Sequence, residues 1–211
     1  MKTDTLKTIY LSQKSNNMKL HVIVVAYERP IPLRGLIDSF LNQTCQDWEM
    51  DIVHDGPASK SVWNVIELYK DKRIRFWESK IRYENYGHPN RACMLQKIKG
   101  NKYDYVLITN DDNYYVPKFV EYFLAECDPE VGIVYCDTVH SHCNYAVHYS
   151  KLKEQGIDMG AFIVRLDIAK KTGFNHIHFS ADGKYAEECN MTRYEKGLRN
   201  VYIQKALFIH N

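Results

Sequence analysis

The 211-residue sequence has no Cys-x-x-Cys pair, no apolar stretch of membrane-spanning length and no glycine-rich loop after its first apolar run. Each absence excludes something. The cysteines, Cys45, Cys93, Cys127, Cys136, Cys143 and Cys189, are scattered. They read as reduced thiols, which argues against a disulfide scaffold. No transmembrane segment is expected, and the N-terminus lacks the apolar core of a signal peptide, so a cytoplasmic protein is expected. Neither sign of charge dominates: 28 Lys and Arg face 26 Asp and Glu, a net charge of +2. A nucleic-acid partner is therefore not expected. No repeat, low-complexity tract or linker divides the chain. Tyrosine is abundant instead, at 16 residues, which suits a polar, aromatic-lined cleft.

Residues 1–18 are polar and patternless and read as a leader or loosely docked arm. From Lys19 onward the pattern is regular. "KLHVIVVAY" is a β-branched run fit for a strand buried on both faces. "IPLRGLIDSFLNQ" then places Leu33, Leu36, Ile37, Phe40 and Leu41 at helical spacing. "WEMDIVHDG" is a second strand, closed by the turn Asp55-Gly56-Pro57. A helix around Val62–Tyr69, the strand "RIRFWE", a helix from Arg91 to Ile98 and the strand "YDYVLIT" complete the first half. Such alternation implies a mostly parallel, Rossmann-like sheet with helices on both faces. In that architecture ligands sit beyond the carboxyl ends of the strands at the switch point. In a 3-2-1-4 order, that point lies between Ala26-Tyr27-Glu28 and Asn110-Asp111-Asp112. The second half is less regular. "VPKFVEYFLAEC" reads as a helix with Pro117 in its first turn, "VGIVYC" and "GAFIVRL" as strands, "AEECNMTRYEKG" as a helix and "NVYIQKALFIH" as a final strand.

The stretch "ITNDDNYYVP" raises the chemical question. Adjacent carboxylates at the end of a buried strand repel each other and are costly to bury unpaired. A divalent ion with a preference for hard oxygen ligands, Mg²⁺ or Mn²⁺, would offset that cost. A solvated turn with Asp capping the next helix is the alternative.

With these residues in view, "VIVVAYERPIPLRGLIDSFLNQTCQDWEMDIVHDG" resembles the opening of the glycosyltransferase family two proteins. "ITNDDNYYVP" is similar to that family's acidic metal motif, and the two stretches lie at the family's separation. The resemblance implies the GT-A fold and a nucleotide-diphosphate sugar donor, UDP-linked, with Mn²⁺ or Mg²⁺. Residue by residue, it places Tyr27 against the nucleobase with Ala26 and Glu28 lining the same pocket. Asp55 would accept a hydrogen bond from uracil, although His54 stands where many relatives have another Asp. Arg91 and Asn110 fall in the donor site. Asp111 would approach ribose or metal, and Asp112 would be the principal metal ligand. Asn113 replaces a frequent third Asp. Asp182 in "FSADGKYAEEC" falls at the position of the catalytic base of inverting members, with Glu187 and Glu188 as neighbours and a helix N-cap as its alternative role. Asp158 and Gly160 would line the sugar pocket. His210 corresponds to a C-terminal metal-binding His of some relatives.

The group His140, His142, Cys143 and His148 has the composition of a zinc site but no compact ligand spacing, and reads as a polar loop. One GT-A domain over 19–211 is expected, with residues 19–115 holding the donor and 116–211 a mixed catalytic side that meets a glycan or glycoprotein acceptor. A further likeness is to the N-terminal domain of a large viral protein that decorates a capsid glycan, which would put the domain in a longer multidomain chain in the host cytoplasm. Two competing functions stand beside this one. A sugar-phosphate nucleotidyltransferase would need the missing glycine-rich loop. A catalytically inactive sugar-binding module would not need both Asp112 and Asp182.

Overall fold

The run LHVIVVA forms β1 (Leu20–Ala26), buried at every position, as a strand covered on both faces must be. The structure, a computed structural model, describes residues 18–211. The expected arm lies outside them except for Met18, which packs against the core. Helix α1 (Pro30–Leu41) follows with proline in its first turn, where the missing N–H costs nothing. It buries Leu33, Leu36, Ile37 and Phe40. Next come β2 (Trp48–His54), α2 (Lys60–Ile66), β3 (Ile74–Glu78), α3 (His88–Lys97) and β4 (Tyr105–Asn110). The parallel strands run in the order β3-β2-β1-β4. The expected switch point is therefore present. Val25 pairs with Asn110 on one side, and Ala26 pairs with His54 on the other.

The second half extends the same sheet. It contains β5 (Tyr114–Tyr115), α4 (Phe119–Ala125), β6 (Val131–His140), β7 (Ala146–His148), β8 (Phe162–Arg165), α5 (Leu166–Thr172), α6 (Ala181–Glu195) and β9 (Arg199–His210). Antiparallel β8 joins β4 to β6, and β6 pairs in parallel with β9, so the order continues β4-β8-β6-β9-β5 with β7 beside β6. Three register shifts between Val131 and Thr138 interrupt the β6–β9 ladder. Bulges of this kind twist and re-aim a strand. The ladder then ends with His140 opposite His210.

Tyr115 knits the halves together. Its ring lies 4.9 Å from Phe40, 4.5 Å from Phe119 and 5.4 Å from Phe208. Its hydroxyl donates to Thr109 Oγ1 at 2.7 Å. A Cβ on Gly160 would meet that hydroxyl at 2.6 Å, so only glycine permits this approach. Gly160 is thus a buried packing position, not a lining of the sugar pocket.

Among the element boundaries that differ from expectation, three lie in the second half. Pro117 lies before α4, which begins at Phe119. The stretch read as the strand "GAFIVRL" splits into a 3-10 turn (Met159–Ala161), β8, and α5 from Leu166. Helix α6 begins at Ala181, with Ser180 as its N-cap. Asp182 therefore lies inside the first turn and is not the cap. No helix of the described residues is long and apolar enough to cross a membrane.

Candidate active site

A cleft of about 1180 Å³ opens where β1 and β4 end, and the start of α6 and the end of β9 form its far wall. Such a volume exceeds the ~300–1,000 Å³ of a typical small-ligand pocket, leaving room for two substrates.

The near wall begins with the turn after β1. Glu28 adopts the left-handed region, φ 47°. Its N–H donates to His54 Nε2 at 3.1 Å, while His54 Nδ1 donates to Gly56 O at 2.8 Å. A neutral imidazole does both jobs, and an Asp at position 54 could accept from Glu28 but could not donate to Gly56. The Glu28 carboxylate accepts from Ser59 N–H at 2.9 Å, which places it on the start of α2, outside the cleft lining. Tyr27 is 38% exposed at the lip, with the Arg82 guanidinium 3.8 Å above its ring. Its N–H donates to Asp111 Oδ2 at 3.0 Å.

Arg29, at the N-cap of α1, pairs with both Asp111 and Asp112. This guanidinium is what neutralises the adjacent carboxylates in the structure. Asp111 is fully buried. Burial pushes its carboxyl up to about 6, against the pull of Arg29 and the Tyr27 N–H and with added repulsion from Asp112. Asp112 Oδ1 is buried without a hydrogen-bond partner. Asn113 turns inward instead, donating to Thr109 Oγ1 at 2.9 Å. The oxygen set fits a divalent cation: two carboxylates already hold one positive group, and one buried carboxylate oxygen is unused.

Asp55 is buried and accepts from Tyr83 N–H at 2.9 Å, Glu84 N–H at 3.1 Å and Asn90 Nδ2 at 2.8 Å. These bonds hold an unusual loop. Glu84, Asn85, Tyr86 and Gly87 all have positive φ, between 45° and 73°. Each such non-glycine residue costs about 1–3 kcal/mol. A Cβ on Gly87 would lie 2.3 Å from Val25 Cγ1, so the loop sits directly on the end of β1. Arg91 closes the loop from below, donating to Tyr86 O at 2.7 Å, to His88 Nδ1 at 2.5 Å and to Asn110 Oδ1. Burial pushes the Arg91 guanidinium down, opposed by the charges of Asp182 and Asp111. Residues 84–87 join the sheet ends to the far wall.

On that wall Asp182 lines the cleft from the first turn of α6. Burial raises its carboxyl. The Arg91 charge pulls it back, Asp158 repulsion adds to the rise and a bond from the Met159 N–H lowers it. Glu187 and Glu188 are engaged elsewhere, with Lys184 at 2.8 Å and His176 at 2.8 Å. Asp158 lines the cleft and lies 2.8 Å from His140 Nε2. His210, at the end of β9, has its ring 5.1 Å from His140 and 5.5 Å from His142.

The structure thus brings Ala26, Tyr27, Asp55, Arg91, Asn110 and Asp182 to one cleft, with Asp111 and Asp112 held against its Arg29. Sequence reasoning missed Arg29, Arg82, His88 and Asn90. Arg29 lies in the stretch that carries the family resemblance, directly after Tyr27-Glu28, and that was its signal. Nothing local pointed to the others.

Comparisons with known proteins find a family and several relatives for this chain. The profile described as Glycosyl transferase family 2 matches residues 21–184. Among curated proteins, the uncharacterized glycosyltransferase YwdF of Bacillus subtilis is 29% identical over 124 residues, covering 59% of this chain and 41% of its own length. MJ1057 of Methanocaldococcus jannaschii, also an uncharacterized glycosyltransferase, is 31% identical over 103 residues, covering 47% and 34%. The chain spans less than half the length of either. Among solved structures, S. aureus TarS 1-349 in complex with UDP superposes with a TM-score of 0.73 at 18% identity, over 92% of this chain and 60% of that one. The mannosyltransferase PcManGT of Pyrobaculum calidifontis, in complex with GDP-Man and Mn²⁺, gives 0.69 at 15%, over 97% and 62%.

Proposed function

We propose that the chain, which belongs to glycosyl transferase family 2 and has the GT-A fold, is a glycosyltransferase that moves a sugar from a UDP-linked donor to a glycan hydroxyl, with Mn²⁺ or Mg²⁺ and with inversion. The observation that carries the reading is the Asp111–Asp112 pair at the end of β4. It faces the end of β1, is already paired with a cation and has a buried oxygen to spare. Asp112, with Asp111, would hold the ion, which supplies Lewis-acid stabilisation of the departing diphosphate. The TarS complex with UDP supports the donor assignment. The Mn²⁺ in the PcManGT complex supports the metal.

The chain's own residues divide the remaining work. Tyr27 offers its ring to the base, and Asp55 shapes that pocket by fixing residues 83–84 and Asn90. Arg29 and Arg82 supply positive charge at the same lip. Asp182, on the opposite wall, accepts the proton of the attacking acceptor hydroxyl. Burial raises its pKa, which makes it a stronger base than an exposed carboxylate.

The test is to incubate the chain with UDP-, GDP- and dTDP-sugars and Mn²⁺ and to follow nucleotide release and product configuration by NMR. Metal-dependent release of UDP and an inverted product are expected. Retention of configuration would overturn the role of Asp182, and turnover confined to GDP or dTDP donors would overturn the uridine assignment.

A further inference from the structure

The far wall of the cleft carries nitrogen and sulfur donors that the proposed transfer does not use. His140 ends β6, and His142 and Cys143 lie in the 3-10 turn Ser141–Cys143 that follows. Residues three apart eclipse in such a turn, so His140 and Cys143 fall on one side of the chain. Asn144 and Tyr145, with φ of 52° and 57°, reverse the chain into β7. The hairpin is held by Thr138 opposite His148 and His140 opposite Ala146. As a result the ligand atoms of His140, His142 and Cys143 all lie within 4.8 Å of one another.

The parallel β6–β9 ladder then places His210 opposite His140. The rings of His140 and His142 are 5.1 Å apart, and His210 is 5.1 Å and 5.5 Å from them. Tetrahedral Zn²⁺ with Zn–N bonds of about 2 Å holds its imidazole ring centres about 5 Å apart, which matches all three spacings. His140 Nε2 is buried without a well-aligned hydrogen bond, and the Asp158 carboxylate lies 2.8 Å away. A carboxylate beside one nitrogen of a ligating histidine is the arrangement that fixes its ring and tautomer.

We propose that His140, His142 and Cys143 form a zinc-class metal site, completed by His210, that fastens the β6–β7 tip to the end of β9. Imidazole and thiolate donors select Zn²⁺ over Mg²⁺ and Mn²⁺, which favour oxygen. The site is therefore chemically separate from the Asp111–Asp112 pair. Sequence spacing hid it, because its fourth member comes from the far end of the chain.

The test uses the reduced, chelator-treated chain and measures binding of metal alone, so it is independent of sugar transfer. Zn²⁺ affinity is read by competition with a chromophoric chelator, and Co²⁺ is used as a spectroscopic probe. One equivalent of Zn²⁺ should bind at least roughly a hundredfold tighter than Mn²⁺. Asp112→Asn should leave that affinity unchanged. His140→Ala and Cys143→Ser should each weaken it roughly tenfold or more. The Co²⁺ form should show a thiolate charge-transfer band that Cys143→Ser removes. Cys143 is exposed, so its serine variant should keep the metal-free melting temperature and separate ligand loss from misfolding. Zn²⁺ affinity unchanged in Cys143→Ser and His140→Ala, lost in Asp112→Asn, or no tighter than that for Mn²⁺ would overturn the proposal.

Discussion

On the β1–β4 side of the cleft, polar side chains are committed to distant partners: Asp55 to residues 83, 84 and 90, Arg29 to Asp111 and Asp112, and Arg91 to Tyr86, His88 and Asn110. Around β6 and β9, Thr138 Oγ1 and Ser150 Oγ are buried without hydrogen-bond partners, and His140 Nε2 and Asp158 Oδ2 face each other at 2.8 Å with no other partner. The first wall is preorganised, and among its unused atoms Asp112 Oδ1 and Arg91 Nε belong to residues assigned to the donor site. The second wall keeps its donors open. A nucleotide diphosphate presents a fixed pattern, and a rigid frame binds it at low entropic cost. The wall proposed to meet the acceptor carries groups still to be satisfied.

The largest effect should come from removing the proposed base on the open wall. Asp182→Asn should lower turnover by ~10²–10⁴-fold while donor affinity stays within error, measured by steady-state kinetics and calorimetry. Near-normal turnover would move the base to another group. On the committed wall, Asp55→Ala should release residues 83–87 and cost about 2–4 kcal/mol in denaturant unfolding, as buried donors lose their acceptor. Its nucleotide affinity should fall for uridine and guanosine alike, because the loop and not a single base contact is lost. A loss confined to uridine nucleotides would instead assign Asp55 to direct base reading.

Acid should also loosen the committed wall. His88 is held neutral, its pKa lowered from 6.5 to about 4 by burial and by the Arg91 charge. It accepts from Arg91 through Nδ1, and its Nε2 meets His178 O at 3.2 Å. A depressed folded value means that its contribution is complete above pH 6.5 and is lost as pH falls toward 4, roughly 3 kcal/mol in all. Unfolding curves across that window should show the loss in the wild type and a shallower one in His88→Asn. Equal slopes would remove His88 as the cause. The smallest effect should follow Arg29→Ala. Metal-free stability should fall by about 1–2 kcal/mol, since a half-exposed partner of a buried carboxylate is removed. The stabilisation by Mn²⁺ should grow, because the ion no longer displaces a guanidinium. An Mn²⁺-induced shift in melting temperature equal to that of the wild type would count against shared occupancy.

The contrast between the walls also explains what the sequence made legible. Alternating strands and helices revealed the parallel half and the Asp pair at its lip, because burial on both faces leaves a continuous apolar signal; the 3-2-1-4 order assumed for it is the one observed. The second half mixes parallel and antiparallel pairing, so "GAFIVRL" concealed a turn, a short strand and a helix start. Arg29 meets Asp111 and Asp112 only through the β1–β4 pairing. The left-handed run Glu84–Tyr86 contains no residue that demands positive φ. His140 and His210 meet only through a ladder that slips three times before its end. These features arise from tertiary pairing and carry no local periodicity.

Calorimetry of UDP with and without Mn²⁺, on the wild type and on Asp112→Asn, tests the donor site most directly. The account predicts Mn²⁺-dependent UDP binding in the wild type. In Asp112→Asn that dependence should vanish while the far-UV circular dichroism and melting temperature persist. UDP affinity that is indifferent to Mn²⁺, or equally Mn²⁺-dependent in both proteins, would contradict it.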